Sequence, residues 1–197
     1  TPDPPPPLPP PAALPHLPPP PLPLGPPRTH RPTHHAVDRA TQRQETIAPT
    51  DLGGYTHGYL PPLSKGDFLI CMGSSVSSAC GFAQATDKKV ISFIGDSTFF
   101  HSGVTGLVNA VFNNHDFTLI ILDNGTTAMT GHQPNPGVDM ANFNLDGYGH
   151  VDIEAVVKAI GVKHVTKIKP YKLKKSIAAV KEAIEYQGIS VIISEEM

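Results

Sequence analysis

"VISFIGDSTFFHSGVTGLVNAVFNNHDFTLIILDN", residues 90–124, is the stretch that decides the fold. Residues 90–94 are apolar but for one serine and end in Gly95-Asp96, and residues 117–122 are almost as apolar and end in Asp123-Asn124. Between them Val104, Leu107, Val108, Val111 and Phe112 recur at i, i+3, i+4, i+7 and i+8, one apolar helical face. Strands this continuous in apolar residues are buried on both faces, as in a parallel sheet. A strand, a helix and a second such strand then predict a right-handed βαβ unit.

The same alternation continues outward. Residues 68–71 read as a short strand, and residues 76–85, rich in Ser and Ala, as a tightly packed helix. Ile153, Val156, Val157 and Ile160 mark a further helix, with Asp152 as its N-cap and Gly161 after its end. Residues 165–168 form the next strand, Leu173, Ile177, Val180 and Ile184 the last helical face, and residues 189–193 the last strand. The prediction is an α/β fold: a doubly wound, mostly parallel sheet of five to six strands with helices on both faces.

The N-terminal part differs in kind. Of 23 prolines, 17 fall within residues 1–32. Proline fixes φ and lacks an amide donor, so this tract favours polyproline II over a core. Residues 1–49 are expected to be a disordered proline-rich and polar segment, and residues 50–197 the folded domain. Pro23, Pro26 and Arg28 fit the PxxPxR pattern of SH3 ligands, against the plainer readings of a linker or a misassigned gene start. His30, His34 and His35 suggest metal binding, but without an ordered scaffold the grouping reads as incidental.

Bulk properties exclude several classes. A net charge of −2 makes no electrostatic case for nucleic acid or membrane, and no run approaches the ~18 apolar residues of a membrane span. No charged start followed by an apolar segment marks a signal peptide, and a chain beginning with Thr is expected to be a fragment or processed. Cys71 and Cys80, separated by eight residues, match no zinc, haem or iron–sulfur spacing and read as reduced thiols of a cytoplasmic protein.

In open α/β sheets, ligands bind beyond the carboxyl ends of the strands. Asp96 and Asn124 both fall there and, on neighbouring strands, reach one small ion. One carboxylate and one amide oxygen suit Mg²⁺, which fills its octahedron with water and phosphate oxygens. The remaining negative charge is expected from a bound diphosphate, with Ser97 and the adjoining glycines leaving room at the helix start. Asp123 should point the other way in an extended strand and is not counted as a ligand. The plain alternative for Gly95-Asp96 is a capped strand-to-helix turn. The Asp-Asn pair that follows, with 26 residues between Ser97 and Asn124, favours the ion.

This spacing resembles the thiamine diphosphate signature, Gly-Asp-Gly followed some 25 to 30 residues later by Asn, with Ser97 in the third position. More narrowly, "GDSTFFHSGVTGL", "LDNGTTAMTGHQPNPG", "DLGGYTHGYLPPL" and "ICMGSSVSSACG" resemble the thiamine diphosphate-binding domain of indolepyruvate ferredoxin oxidoreductase α subunits. The resemblance implies that Asp96, Asn124 and the carbonyl of Thr126 ligate Mg²⁺. It also implies that the Gly73-Ser74-Ser75 turn contacts the diphosphate or thiazolium side and that Gly95 and Ser97 belong to the site; Thr126 to Met129, with Ala128 among them, read as a turn wrapping the diphosphate, against an ordinary loop.

The activity implied is oxidative decarboxylation of aryl pyruvates. Coenzyme A takes the acyl group, and iron–sulfur clusters pass electrons to ferredoxin. No cluster ligands are expected in this chain, and a partner subunit or domain is expected to supply the glutamate that activates the cofactor. The family's Cys-Pro-Gly-Cys-Pro-His segment is replaced by the proline tract. Gly54 stands where a Cys is usual, Gly125 for an Arg and Asn135 for a His.

His101 and His132 are weak candidates for acid, base or carboxylate binder, against a structural hydrogen bond. Residues 133–150 form a long loop, suited to a lid or partner surface. Lys163, Lys167, Lys169, Lys172, Lys174 and Lys175 make a basic cluster, read as a solvated face more readily than as a site for coenzyme A or an acidic ferredoxin. Two alternatives stay open: a subunit of another thiamine diphosphate-dependent 2-oxo acid decarboxylase, and a non-catalytic relic with a proline-rich docking tail. An oligomer is expected, since such cofactor sites lie at interfaces.

Overall fold

The computed structural model describes residues 30–41, 45–59, 64–143 and 147–195. Alternation along the strands divides the interior into two cores. In β2 (Lys89–Gly95), Val90 and Ile94 enter one core while Ile91 and Phe93 enter the other. β3 (Thr118–Asp123) sends Leu119 and Ile121 to the first and Ile120 and Leu122 to the second. β5 (Ser190–Glu195) repeats the pattern with Val191 and Ile193 against Ile192. With the short edge strand β1 (Thr46–Ile47) and β4 (His164–Ile168), these form a five-stranded, wholly parallel sheet of order β1-β2-β3-β5-β4. This is the doubly wound α/β architecture expected.

Helices cover both faces, as parallel strands require. The first core takes α2 (Ser74–Ala85), α4 (Val104–Phe112) and α5 (Ile153–Ile160). The second takes α1 (His30–Thr41) and α6 (Leu173–Glu185). A short helix α3 (Asp96–Thr98) follows β2 directly, and a π-helical turn from Phe99 to Gly103 carries the chain into α4. Asp152 caps α5 as expected, its carboxylate accepting the Ala155 N–H at 2.6 Å, and Gly161 closes the helix at φ +109°.

Three expectations are corrected. First, residues 30–41 and 46–47, assigned to the disordered segment, form α1 and β1 and pack into the domain, so the boundary at residue 50 is set too late. Polar composition hid the apolar side of α1. Ala36 and Val37 are buried there, the His34 ring lies 4.4 Å from Phe93, and Pro32 sits in the first turn, where its missing N–H costs nothing. His34 is therefore a packed core residue. The proline tract up to residue 29, with the PxxPxR motif, lies outside the described residues.

Second, residues 68–71 are not a strand: Phe68 makes a single parallel bridge to Pro49, and Ile70 is exposed. The edge beside β2 is taken by β1 instead. Third, Val108 and Phe112 do not face the core; Phe112 is 83 % exposed. The buried side of α4 runs through Gly106, Leu107 and Ala110. Gly106 permits close approach to α2, because a Cβ there would stand 3.1 Å from Val76 and Ser77.

Candidate cofactor site

A pocket opens beyond the carboxyl ends of β2 and β3, where ligands of such sheets bind. Its polar wall combines Gly95, Asp96, Ser97 and Thr98 with Asn124 and the segment from Thr126 to Thr130. Its other wall is Leu52, Gly53, Gly54, Tyr55 and Met72. Seven of the expected cofactor residues therefore line one cavity: Gly95, Asp96, Ser97, Asn124, Thr126, Ala128 and Met129. Gly73, Ser74 and Ser75 do not line it; they open α2 immediately after Met72, which does.

Asp96 is the focus of the polar wall and is almost wholly buried. Its Oδ1 accepts the Ser97 N–H at 2.8 Å, and its Oδ2 accepts Asn135 Nδ2 at 2.9 Å. Burial pushes its pKa up to about 6, against the pull of the Asn135, Ser97 and Thr126 donors, and the Asp123 carboxylate adds to the rise. Asp123 is itself raised, first by burial and then by Glu195, while its hydrogen bonds with Gly125 and Asp96 oppose the shift.

Asp123 is not among the residues that line the pocket, yet its carboxyl acts on Asp96 from the neighbouring strand end. In the register of β2 and β3, Gly95 pairs with Leu122, so the next step sets Asp96 beside Asp123 and Asn124 one residue beyond. Asn124 leaves the strand and folds into a turn, its Oδ1 accepting the Thr126 N–H at 3.1 Å. Thr127 Oγ1 then donates to Ser97 Oγ at 2.8 Å, joining the two strand-end loops.

Asp96 is raised by burial and by the neighbouring Asp123, and no cation stands among the groups that pull it down, so its site is short of positive charge. A hard dication answers that shortage, and the donors at hand are oxygens: the Asp96 carboxylate, the Asn124 side-chain carbonyl and the backbone beyond it. The donor set therefore fits Mg²⁺ completed by phosphate. Ser97, Thr98 and Thr127 line the same side of the pocket and set their hydroxyls beside Asp96.

Neither histidine candidate lines the pocket. His101 is exposed in the π-helical turn, its Nδ1 2.6 Å from the Ser97 carbonyl oxygen. His132 follows Gly131 with φ +60°, a left-handed conformation rare outside glycine, and its Nδ1 is buried. The lysine cluster lies elsewhere, on β4 and the start of α6; Lys167 pairs with Glu195 at 2.8 Å and Glu154 at 3.3 Å. Among the described residues no group of three or more His, Cys, Asp or Glu is placed to hold a metal, and both cysteines are unbridged.

Sequence reasoning missed Leu52, Tyr55 and Met72 as pocket residues and gave Asn135 no part in the polar wall, whereas Thr127 falls in the turn it placed around the diphosphate. Tyr55 had a readable signal in its neighbours. Its ring lies over Gly53 and Gly95, and a Cβ at Gly95 would stand 2.7 Å from it. Glycine at the end of β2 is what lets the ring approach.

Comparison with known proteins agrees with this geometry. The chain is 44% identical over 191 residues to indolepyruvate oxidoreductase subunit IorA of Methanothermobacter thermautotrophicus, covering 92% of this chain and 30% of that protein. It is 41% identical over 168 residues to the subunit of the same name from Archaeoglobus fulgidus, covering 85% of this chain and 27% of that one. The chain thus spans less than a third of the length of these relatives. Among solved structures, 2-oxoglutarate:ferredoxin oxidoreductase from Magnetococcus marinus shares the fold, with a TM-score of 0.76 at 18% identity, over 88% of this chain and 63% of that chain. The model of the thiamine pyrophosphate enzyme C-terminal TPP-binding domain matches residues 52–194, taking in the whole pocket, and the chain belongs to that family.

Proposed function

We propose that this chain holds thiamine diphosphate through Mg²⁺ and serves as the cofactor-binding domain of an indolepyruvate-type 2-oxo acid:ferredoxin oxidoreductase. The observation that carries the reading is the buried Asp96 carboxylate at the end of β2, set beside the Asn124 turn at the end of β3 and short of a cation. Identity to the IorA subunits supports the substrate class, aryl pyruvates.

In this reading Asp96, Asn124 and the Thr126 carbonyl hold the metal. Ser97 and the turn through Ala128 and Met129 enclose the diphosphate, and the Gly73-Ser74-Ser75 turn flanks the rings. Bound there, thiamine diphosphate supplies the carbon nucleophile and the electron sink for oxidative decarboxylation of a 2-oxo acid. This chain's residues bind and orient: Asn135 and the Ser97 amide fix the Asp96 carboxylate, while Leu52, Tyr55 and Met72 exclude water from the ring side. His101 and His132 are left to support the loops.

The rest of the reaction falls to other parts of the assembly. An iron–sulfur cluster takes about four thiolates, and this chain has 2 cysteines. The clusters, the ferredoxin and coenzyme A contacts and the group activating the aminopyrimidine belong, in this proposal, to a partner subunit or domain. A multi-subunit, cytoplasmic oxidoreductase completes the reading. The described residues contain no helix long and apolar enough to cross a membrane.

The test is calorimetric titration of the chain with thiamine diphosphate, with and without Mg²⁺, beside Asp96→Ala and Asn124→Ala. Magnesium-dependent binding lost in both variants is the expected result. Binding indifferent to Mg²⁺ or to both substitutions overturns the assignment.

A further inference from the structure

Asp51 is fully buried, yet it lies outside the pocket wall. Its Oδ2 accepts the Gly73 N–H at 2.8 Å and the Ser75 hydroxyl at 3.0 Å, and its Oδ1 accepts the Leu52 N–H at 3.3 Å. Gly73 is the N-cap residue of α2 and has no side chain to cap it. A carboxylate from far upstream therefore takes the place of the usual local cap.

The local cap is closed to this turn. Gly73 has φ +86°, and a Cβ there would run into the Ser102 hydroxyl. Asp51 pins the turn from one side and Ser102 fills the other. The two segments that Asp51 joins bring Leu52, Gly53, Gly54 and Tyr55, and Met72, to the less polar side of the pocket. The opposite wall, from Asp96 to Thr130, carries the oxygens and hydroxyls.

We infer that Asp51 is a positioning residue: it sets the spacing of the Leu52, Tyr55 and Met72 wall, which takes the ring portion of the cofactor, and leaves the diphosphate side untouched. This rests on the cofactor reading above. It assigns to one buried carboxylate the fit of the organic half of the ligand, through the Gly73 amide and the Ser75 hydroxyl.

The test compares two probes on the full chain: thiamine diphosphate with Mg²⁺ and inorganic pyrophosphate with Mg²⁺. Asp51→Asn keeps the side chain's shape but exchanges one acceptor oxygen for a donor. It is expected to weaken thiamine diphosphate by about tenfold or more and to leave pyrophosphate within about twofold. A purely structural role moves both probes together or neither. Ser75→Ala removes one of the contacts with little threat to folding; because Ser75 also belongs to the turn assigned to the cofactor, it is read in the Asp51→Asn background, where it is expected to add little further loss. Equal losses for both probes, or unchanged thiamine diphosphate affinity in Asp51→Asn, overturn the inference. Failure of the unsubstituted chain to bind thiamine diphosphate overturns the cofactor reading itself, and is seen without any variant.

Discussion

Asn135 and Asp96 are bound side chain to side chain, Nδ2 donating to Oδ2 at 2.9 Å across a separation of 39 residues. The contact ties the loop after β3 to the end of β2. Asn135 Oδ1 in turn accepts the Gly137 N–H at 2.9 Å, which settles the orientation of the amide. Asn135→Ala frees one oxygen of a buried carboxylate and lets it turn. Removing such a supporting partner typically costs roughly 10- to 100-fold in metal affinity. Mg²⁺-dependent binding of thiamine diphosphate, read by calorimetry, is expected to weaken within that range.

The raised carboxyls predict how stability follows pH. In the folded chain burial pushes Asp96 up to about 6, above the ordinary carboxylate value of about 3.9, so at this site the folded state binds more protons than the unfolded one between these values. The contribution of Asp96 to unfolding free energy in metal-free buffer therefore falls as pH rises from about 4 through about 6, and levels above that. Asp96→Asn removes the slope and is expected to be more stable than the wild type at pH 7.5 without Mg²⁺. Denaturant melts at a series of pH values read both effects. A stability difference between Asp96→Asn and the wild type that stays constant over this interval contradicts the burial of Asp96.

Asp123 shares the same ground. Its carboxyl is raised by burial and by Glu195, and it adds its own repulsion to Asp96. Asp123→Asn is expected to raise the melting temperature of the metal-free chain at neutral pH, by a few degrees for about 1 kcal/mol of relieved repulsion. The gain should shrink when Mg²⁺ is added, because the cation then offsets the charge that the substitution removes.

A substitution far from the pocket serves as a control. Asp152 caps α5 from an exposed position, through the bond to Ala155 N–H. Asp152→Ala is expected to cost about 1 kcal/mol, read as a lower melting temperature, with cofactor binding unchanged.

β2, β3 and β5 were legible because each holds a continuous or nearly continuous apolar run, and α5 because its cap and its closing glycine flank a clean periodic face. The Asp96 and Asn124 placement was legible for the same reason: both stand where a strand pattern ends. The partnership of Asp96 with Asp123 was not, since alternation is a rule for residues inside a strand, and Asp123 is the last of β3. Nor was α1, whose contacts with α6 join residues far apart in the chain and leave no local signature. The apolar wall of the pocket comes from the Leu52–Tyr55 segment and Met72, outside regular strands, where periodicity says nothing about direction.

The clearest divergence between pattern and packing is on α4, and it can be measured. Periodicity grouped Leu107 with Val108 and Phe112, yet Leu107 is fully buried while Val108 and Phe112 are 49% and 83% exposed. The reason lies in Gly106 and Ala110, which carry no apolar bulk but let α4 settle against α2 and draw that side of the helix inward. Leu107→Ala empties a site between the sheet and α2 and is expected to cost about 2–5 kcal/mol, depending on how far the neighbours collapse. Phe112→Ser removes a larger side chain from solvent contact and is expected to change stability by less than about 0.5 kcal/mol. Denaturant melts of the two variants under one condition decide between the faces. Comparable losses at both positions mean that Phe112 is covered in the assembled protein or that α4 is turned; a loss at Leu107 alone confirms the small-residue face.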